Sequence, residues 1–131
     1  MEDILFKATV LVVDDEVANL KVFERVFRKE FRIIAAASGA AALAAIVDTQ
    51  PDVAFVDLRM PGMDGAAVLA ALRQARPETT RYLLTGFGDL SEVSALIAEG
   101  LCVGVLPKPW DRETIRTAVT AAVPTASRTA R

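Results

Sequence analysis

Four carboxylates, one threonine and one lysine are the residues of this chain whose types could do chemistry together: Asp14-Asp15-Glu16, Asp57, Thr85 and Lys108. The chain has no histidine and a single cysteine, Cys102. An imidazole base, a histidine metal site, a Ser/His triad and an internal disulfide are therefore excluded. What remains is chemistry run on carboxylates, hydroxyls and lysine. Carboxylates brought within a few ångströms of one another repel, and at least one is pushed towards protonation unless a cation joins them. An all-oxygen donor set suits a hard cation, and Mg2+ fits best. A lysine and a hydroxyl beside that cation make a pocket that would stabilise the spread negative charge of a transferring phosphoryl group. Asp57 is then the candidate nucleophile, since aspartate can accept such a group as an acyl phosphate.

These residues cooperate only if the fold converges them. Five short apolar runs, Thr9–Val13, Phe31–Ala35, Val53–Val56, Tyr82–Leu84 and Cys102–Leu106, are nearly continuous rather than alternating, so they read as buried parallel strands. Helix-like stretches lie between them. The first carries Leu20, Phe23 and Phe27 at helical spacing, and the second follows Ser38, a good N-cap, with Leu43, Ile46 and Val47. The third runs from about Gly65 to Arg76 with Val68, Leu69 and Leu72 on one face. The fourth opens on Asp89-Leu-Ser-Glu92, a variant capping box, continues through Val93, Leu96 and Ile97, and closes at Gly100. The fifth starts at Asp111 and presents Ile115, Ala118, Val119 and Ala122. Alternating strands and helices call for an α/β fold, a doubly wound five-stranded parallel sheet with helices on both faces. Sites in such sheets lie beyond the carboxyl ends of the strands. Asp14-Asp15-Glu16, Asp57, Thr85-Gly86 and Lys108 stand at those ends of strands one, three, four and five.

The length of 131 residues fits one domain, and 53% hydrophobic residues suffice for a core. We expect a short extension over residues 1–7, the domain over 8–123, and a flexible tail or linker start over 124–131. The acidic start Met1-Glu2-Asp3 and the interruption of the apolar run Val10–Val13 by aspartates match neither a signal peptide nor a membrane span. With almost no cysteine, this favours the cytoplasm. A net charge of −2, from 15 basic and 17 acidic residues, is not the footprint of a nucleic-acid binder.

Each residue alone has a plainer reading. Asp14-Asp15 is an ordinary helix-start acidic pair, Thr85 a β-former at a strand end, and Lys108 a solvated lysine. Leu20, Phe23 and Phe27 are core, Cys102 is a small apolar side chain near a strand, and Trp110 packs at the start of the last helix.

Together, Val12-Val13-Asp14-Asp15-Glu16, Val56-Asp57-Leu58-Arg59-Met60-Pro61-Gly62-Met63-Asp64-Gly65, Leu84-Thr85-Gly86 and Lys108-Pro109 resemble the receiver domains of bacterial two-component response regulators. The resemblance runs from about residue 8 to residue 123, in order and approximate spacing. It implies the flavodoxin-like strand order 2-1-3-4-5. It implies Asp57 as phosphoacceptor, Mg2+ held directly by Asp15, by Asp14 mostly through water, and by Asp57 and the Arg59 carbonyl. Thr85 would hydrogen-bond a phosphoryl oxygen, Lys108 would pair with another, and the N–H groups of Arg59 and Gly86 would face the phosphoryl group. The Lys108–Pro109 peptide bond is expected to be cis. The implied donor is a histidine kinase or a histidine phosphotransfer protein. The implied output surface is the fourth helix, fifth strand and fifth helix, acting on an unknown partner or attached domain; dimerisation through that face stays open. Neither direct nucleic-acid binding nor turnover of an external substrate is expected.

The chain departs from the family three residues before the lysine, where receivers usually carry Tyr or Phe and this chain has Val105. Valine cannot make the inward swing that the family's aromatic makes, so coupling must be weaker or carried by other groups; Phe87 and Trp110 are the aromatics best placed by sequence. Pro107, before the lysine, is tolerable on an edge strand. Arg59 and Phe87 offer no carboxylate or amide to orient an attacking water, so slow self-hydrolysis is expected, with both shielding the phosphoryl group. Two other readings compete. A haloacid-dehalogenase-type phosphatase would want Asp-x-Asp after its first strand and a substrate cap, and the chain has adjacent aspartates there. The alternative is a receiver-like interaction module that acts without phosphorylation.

Overall fold

The computed structural model describes residues 7–60, 62, 64–86 and 90–123, with the side chain of Leu90 left aside. The strands are β1 (Thr9–Val13), β2 (Arg32–Ala36), β3 (Val53–Asp57), β4 (Thr80–Thr85) and β5 (Gly104–Pro107). The helices are α1 (Val17–Phe27), α2 (Gly39–Ala45), α3 (Gly65–Ala75), α4 (Leu90–Ala98) and α5 (Arg112–Ala122). All strand pairs are parallel, in the order β2-β1-β3-β4-β5. The expected doubly wound sheet and its order are therefore present.

The central strands are apolar on both faces because both faces are covered. On one side Leu11, Val13, Ala54, Val56 and Leu83 meet Val68, Leu69 and Leu72 of α3 and Val93 and Leu96 of α4. On the other, Val10, Val12, Val53, Phe55 and Leu84 meet Leu20, Phe23 and Phe27 of α1 and Ile115, Ala118 and Val119 of α5. That second layer is aromatic. Trp110 packs 5.3 Å from Phe23 and 5.5 Å from Phe27, centroid to centroid, in the role the sequence suggested.

Capping follows the sequence closely. Ser38 accepts a hydrogen bond from the Ala41 N–H, Asp64 from Ala67 and Asp111 from Thr114, so each satisfies a first-turn donor. Gly100 ends α4 with φ +81°, the left-handed region that favours glycine. Several expectations shift: β4, expected over Tyr82–Leu84, runs Thr80–Thr85, and β3 extends through Asp57. Strand β2 begins at Arg32 rather than Phe31, whose ring stacks on Phe27 at 5.4 Å and so belongs to the aromatic layer. Strand β5 begins at Gly104 rather than Cys102, although the Val103 N–H already donates to Arg81 O. Helix α2 ends at Ala45, leaving Val47 70% exposed rather than on the buried face. Asp111 is the cap of α5 and not its first residue. Pro107 sits on an edge strand as anticipated. Because the Lys108 N–H donates to Thr85 O, the position of the missing Pro107 N–H faces away from β4.

Candidate functional site

Parallel strands in register deliver the polar residues to one end of the sheet. Val13 pairs with Val56 and Asp57 with Leu84, so Asp14 and Asp57 emerge side by side beyond β1 and at the tip of β3. Thr85 pairs with Pro107, which puts Lys108 next to Thr85. The loop after β3 is pulled tight by a glycine: a Cβ on Gly65 would lie 2.5 Å from Asp57 O and 2.6 Å from Leu58 Cα. Only glycine lets the start of α3 approach so closely, and the Gly65 N–H donates to Leu58 O at 2.9 Å. Gly62, with φ +80°, makes the turn in that loop.

The sequence-predicted residues are brought together. Asp15, Glu16, Asp57, Arg59, Thr85, Gly86 and Lys108 line a crevice of ≈ 500 Å³. Asp14 lies just behind it, 3% exposed, while Asp15 is open to solvent. One carboxylate oxygen from each of Asp14, Asp15 and Asp57 falls within 4.8 Å of the others. The Lys108 ammonium stands 3.3 Å from Asp14 Oδ2 and 3.4 Å from Asp57 Oδ2. The Arg59 N–H points at Asp57 Oδ1 over 3.4 Å. The Lys108–Pro109 bond is cis.

The electrostatics follow from this packing. Burial pushes the Asp57 carboxyl above its ordinary value, and Asp14 adds to the rise, against the opposing pull of Lys108 and the Arg59 N–H. Burial alone would lower Lys108, but the carboxylates of Asp14 and Asp57 outweigh it and carry the ammonium above its usual range. Three carboxylates and one ammonium leave two negative charges uncompensated. An all-oxygen donor set with that deficit, open on the Asp15 side, fits a divalent hard cation.

Sequence reasoning missed two neighbours of the site. Asn19 Nδ2 donates to Asp14 Oδ2 at 3.2 Å and to Glu16 Oε1 at 2.8 Å, fixing both carboxylates. A lone asparagine in the first turn of a helix gives no signal of this. Glu92, on α4, holds the Arg59 guanidinium at 2.8 Å, a contact across 33 positions that no local pattern could reveal. Trp110, offered as a stand-in for the family's moving aromatic, packs in the α1/α5 layer, whereas Val105 packs against the opposite one. It is not placed for that task. Phe87, the other candidate, and the cap at Asp89 lie outside the described residues.

Comparison with known proteins gives a consistent result. The response regulator receiver domain family matches residues 10–120. The sporulation initiation phosphotransferase F of Bacillus subtilis (strain 168) is 32% identical over 114 residues, covering 84% of this chain and 89% of the relative. The hydrogenase transcriptional regulatory protein HoxA of Cupriavidus necator is 34% identical over 104 residues, covering 79% of this chain and only 22% of the relative. The chain thus spans about a fifth of that regulator's length. Among solved structures, the signal receiver domain of an HD domain-containing protein from Pseudomonas fluorescens Pf-5 superimposes with a TM-score of 0.81. It is 30% identical, and the match covers 89% of this chain and 94% of the other.

Proposed function

The chain belongs to the response regulator receiver domain family of two-component phosphorelay signalling, and from that premise we propose that Asp57 is its phosphoacceptor. The observation that carries this reading is the crevice itself: Asp57 ends β3 with Lys108 3.4 Å away and two further aspartates within 4.8 Å. In the reaction an Asp57 oxygen attacks the phosphorus of a phosphohistidine on a kinase or phosphotransfer protein. The P–N bond breaks, an acyl phosphate forms, and the departing imidazole recovers a proton from solvent.

Asp15, Asp14 through water, Asp57 and the Arg59 carbonyl would hold Mg2+, which when bound supplies the positive charge that lets a phosphoryl group approach a carboxylate. Lys108 supplies a fixed ammonium for one phosphoryl oxygen, and the Thr85 hydroxyl a hydrogen bond for another. The backbone N–H groups of Arg59 and Gly86, both lining the crevice, would donate to the phosphoryl group. Asn19 holds Asp14 and Glu16 in place. Once the phosphoryl group is on Asp57, its pull on Thr85 and Lys108 favours the active-like population, read out at the α4-β5-α5 face by a partner or attached domain. The domain is a regulatory one, and we propose that it turns over no external substrate. Among the described residues no helix is long and apolar enough to cross a membrane, and we place the domain in the cytoplasm, where its phosphohistidine donor is made.

Intact mass after incubation with acetyl phosphate and Mg2+ tests the reading. One phosphoryl adduct is expected, absent in Asp57→Asn and absent with EDTA. No adduct with either small-molecule or phosphohistidine donors would leave the phosphorylation-independent interaction module as the reading.

A further inference from the structure

Helix α1 presents three different strips. At about 100° per residue, Leu20, Phe23 and Phe27 form the buried stripe. On one flank Asn19, Val22 and Val26 face Lys108 and Trp110, beside the site already described. On the other flank the helix overlooks the edge strand β2, and here the charge changes character. Lys7, Lys21, Arg25, Arg28 and Arg32 line a groove of ≈ 550 Å³. Its remaining lining is Glu24, Phe31 and Ile33, the last two half-buried.

Five of the chain's 15 basic residues thus meet in one groove with a single acid, on a molecule whose net charge is −2. Six of the cations outside it are engaged: Arg59, Arg116 and Lys108 by carboxylates, and Arg73, Arg76 and Arg81 by backbone carbonyls. Among the described residues, none of the five groove cations has an ion pair or a side-chain hydrogen bond. Among the described residues nothing pairs with this positive charge, which lies above an apolar floor where Phe31 stacks on Phe27.

We propose that this groove docks an acidic, partly apolar peptide segment of a partner protein. The floor favours a peptide over a bare polyanion, because Phe31 and Ile33 offer nothing to phosphates and a great deal to a leucine or phenylalanine anchor. Glu24, set within the cationic lining, repels a uniformly negative chain and accepts a peptide N–H or a lysine. The helical part of the stripe, Lys21 to Arg28, is about 10 Å long, too short for the roughly six to ten phosphate contacts of a tight nucleic-acid complex. The groove is formed by the later turns of α1, the start of β2 and Lys7, two residues before β1. It therefore lies towards the amino end of the sheet, opposite Asp57. Docking there holds a partner without touching the phosphoryl pocket, so the proposal does not depend on Asp57 being the acceptor.

The test is fluorescence anisotropy on the full chain with a labelled peptide of alternating Glu and Leu, beside polyglutamate and single-stranded DNA of equal charge and vesicles containing phosphatidylserine. The peptide is expected to bind most tightly, with affinity falling as salt rises. Arg28→Glu should weaken it about tenfold, the scale of one charge-assisted hydrogen bond, and Lys21→Glu should act in the same direction. Lys29→Glu, which changes net charge as much as Arg28→Glu but lies outside the groove lining, should leave binding within about twofold of the wild type, as should Asp57→Asn. Absence of peptide binding, an equal loss in Lys29→Glu, or tighter binding of the oligonucleotide or the vesicles would each overturn the proposal.

Discussion

At the amino end of the sheet Arg81 donates to Leu101 O at 2.8 Å, Thr79 O at 2.9 Å and Gly100 O at 3.2 Å. Arg76 there donates to Ile46 O and Val47 O, and Arg73 to Glu99 O. At the carboxyl end Asp14, Asp15 and Asp57 crowd within 4.8 Å with one lysine among them. Both ends place charge beside helix termini. In the first, guanidinium groups meet the carbonyls at the C-termini of α2 and α4, where the helix dipole also favours a cation. In the second, like charges face each other and await a partner from solution. The first arrangement, the contacts of Arg73, Arg76 and Arg81, is satisfied within the chain and contributes stability. The second is incomplete within the chain, and that incompleteness lets it bind a cation and a phosphoryl group.

Removing a charge at each end should therefore have opposite effects. Arg81 is 8% exposed, and Arg81→Met leaves several carbonyls without their donor. We expect a loss of about 3 kcal/mol, or roughly 10 °C in Tm, with the rate of phosphorylation by acetyl phosphate unchanged. A loss below about 1 kcal/mol in denaturant titration would remove the claim that the amino end is the rigid one. Asp57→Asn relieves repulsion with Asp14, so in the absence of divalent cation its Tm should rise by a few degrees. Mg2+ should then raise the Tm of the wild type more than that of the variant. A variant less stable than the wild type without Mg2+ would show that the three aspartates are not in conflict.

The carboxyl end was the more legible of the two. Its residues are contiguous motifs at strand ends, and the rule that sites lie beyond those ends names their common location before any coordinate is known. The amino end was not legible, because Arg73, Arg76 and Arg81 reach carbonyls as far as 30 positions away, and a carbonyl has no sequence signature. The basic groove stayed hidden for a related reason. Its cations come from three segments, and the near balance of the whole composition conceals a local excess. Element boundaries failed where tertiary contacts overrode local pattern: Phe31 is β-prone yet is taken by the aromatic layer, and Val47 has helical spacing yet lies past the end of α2.

A third charge pair occupies neither extreme. Arg116 of α5 grips Glu30 with two hydrogen bonds of 2.7 Å, and these bonds, working against partial burial, hold the Glu30 carboxyl below its ordinary value of 4.5. A carboxyl lowered in the folded state stabilises the fold above its unfolded value, and that contribution fades as pH falls through the folded one. Glu30→Gln should therefore be less stable than the wild type at neutral pH, by less than Arg81→Met because the pair is partly solvated. The gap should narrow below pH 4.5. A gap that stays constant in acid would assign the loss to packing rather than to charge.

The smallest expected effect lies where the carboxyl-end site touches α4. Arg59 follows Asp57 by two residues, and its guanidinium is held by Glu92 at 2.8 Å, with 59% and 37% of the two side chains exposed. An exposed pair of this kind is worth little for stability, but its position makes it a competitor. Once Asp57 carries a phosphoryl group, that dianion and Glu92 draw on the same guanidinium. Glu92→Ala removes that competing carboxylate from Arg59, so the acyl phosphate should survive roughly twofold longer, the range of an exposed ion pair. Arg59→Asn should shorten it, and Glu92→Ala should add nothing in that background, as expected for two residues acting through one contact. Decay of the phosphoryl adduct by intact mass reads all four proteins. A Glu92→Ala effect that persists without Arg59 would place Glu92's influence elsewhere on α4. Its disappearance would mean that the pocket borrows its outer cover from the helix expected to report its state, a physical link between site and output that does not need an aromatic at Val105.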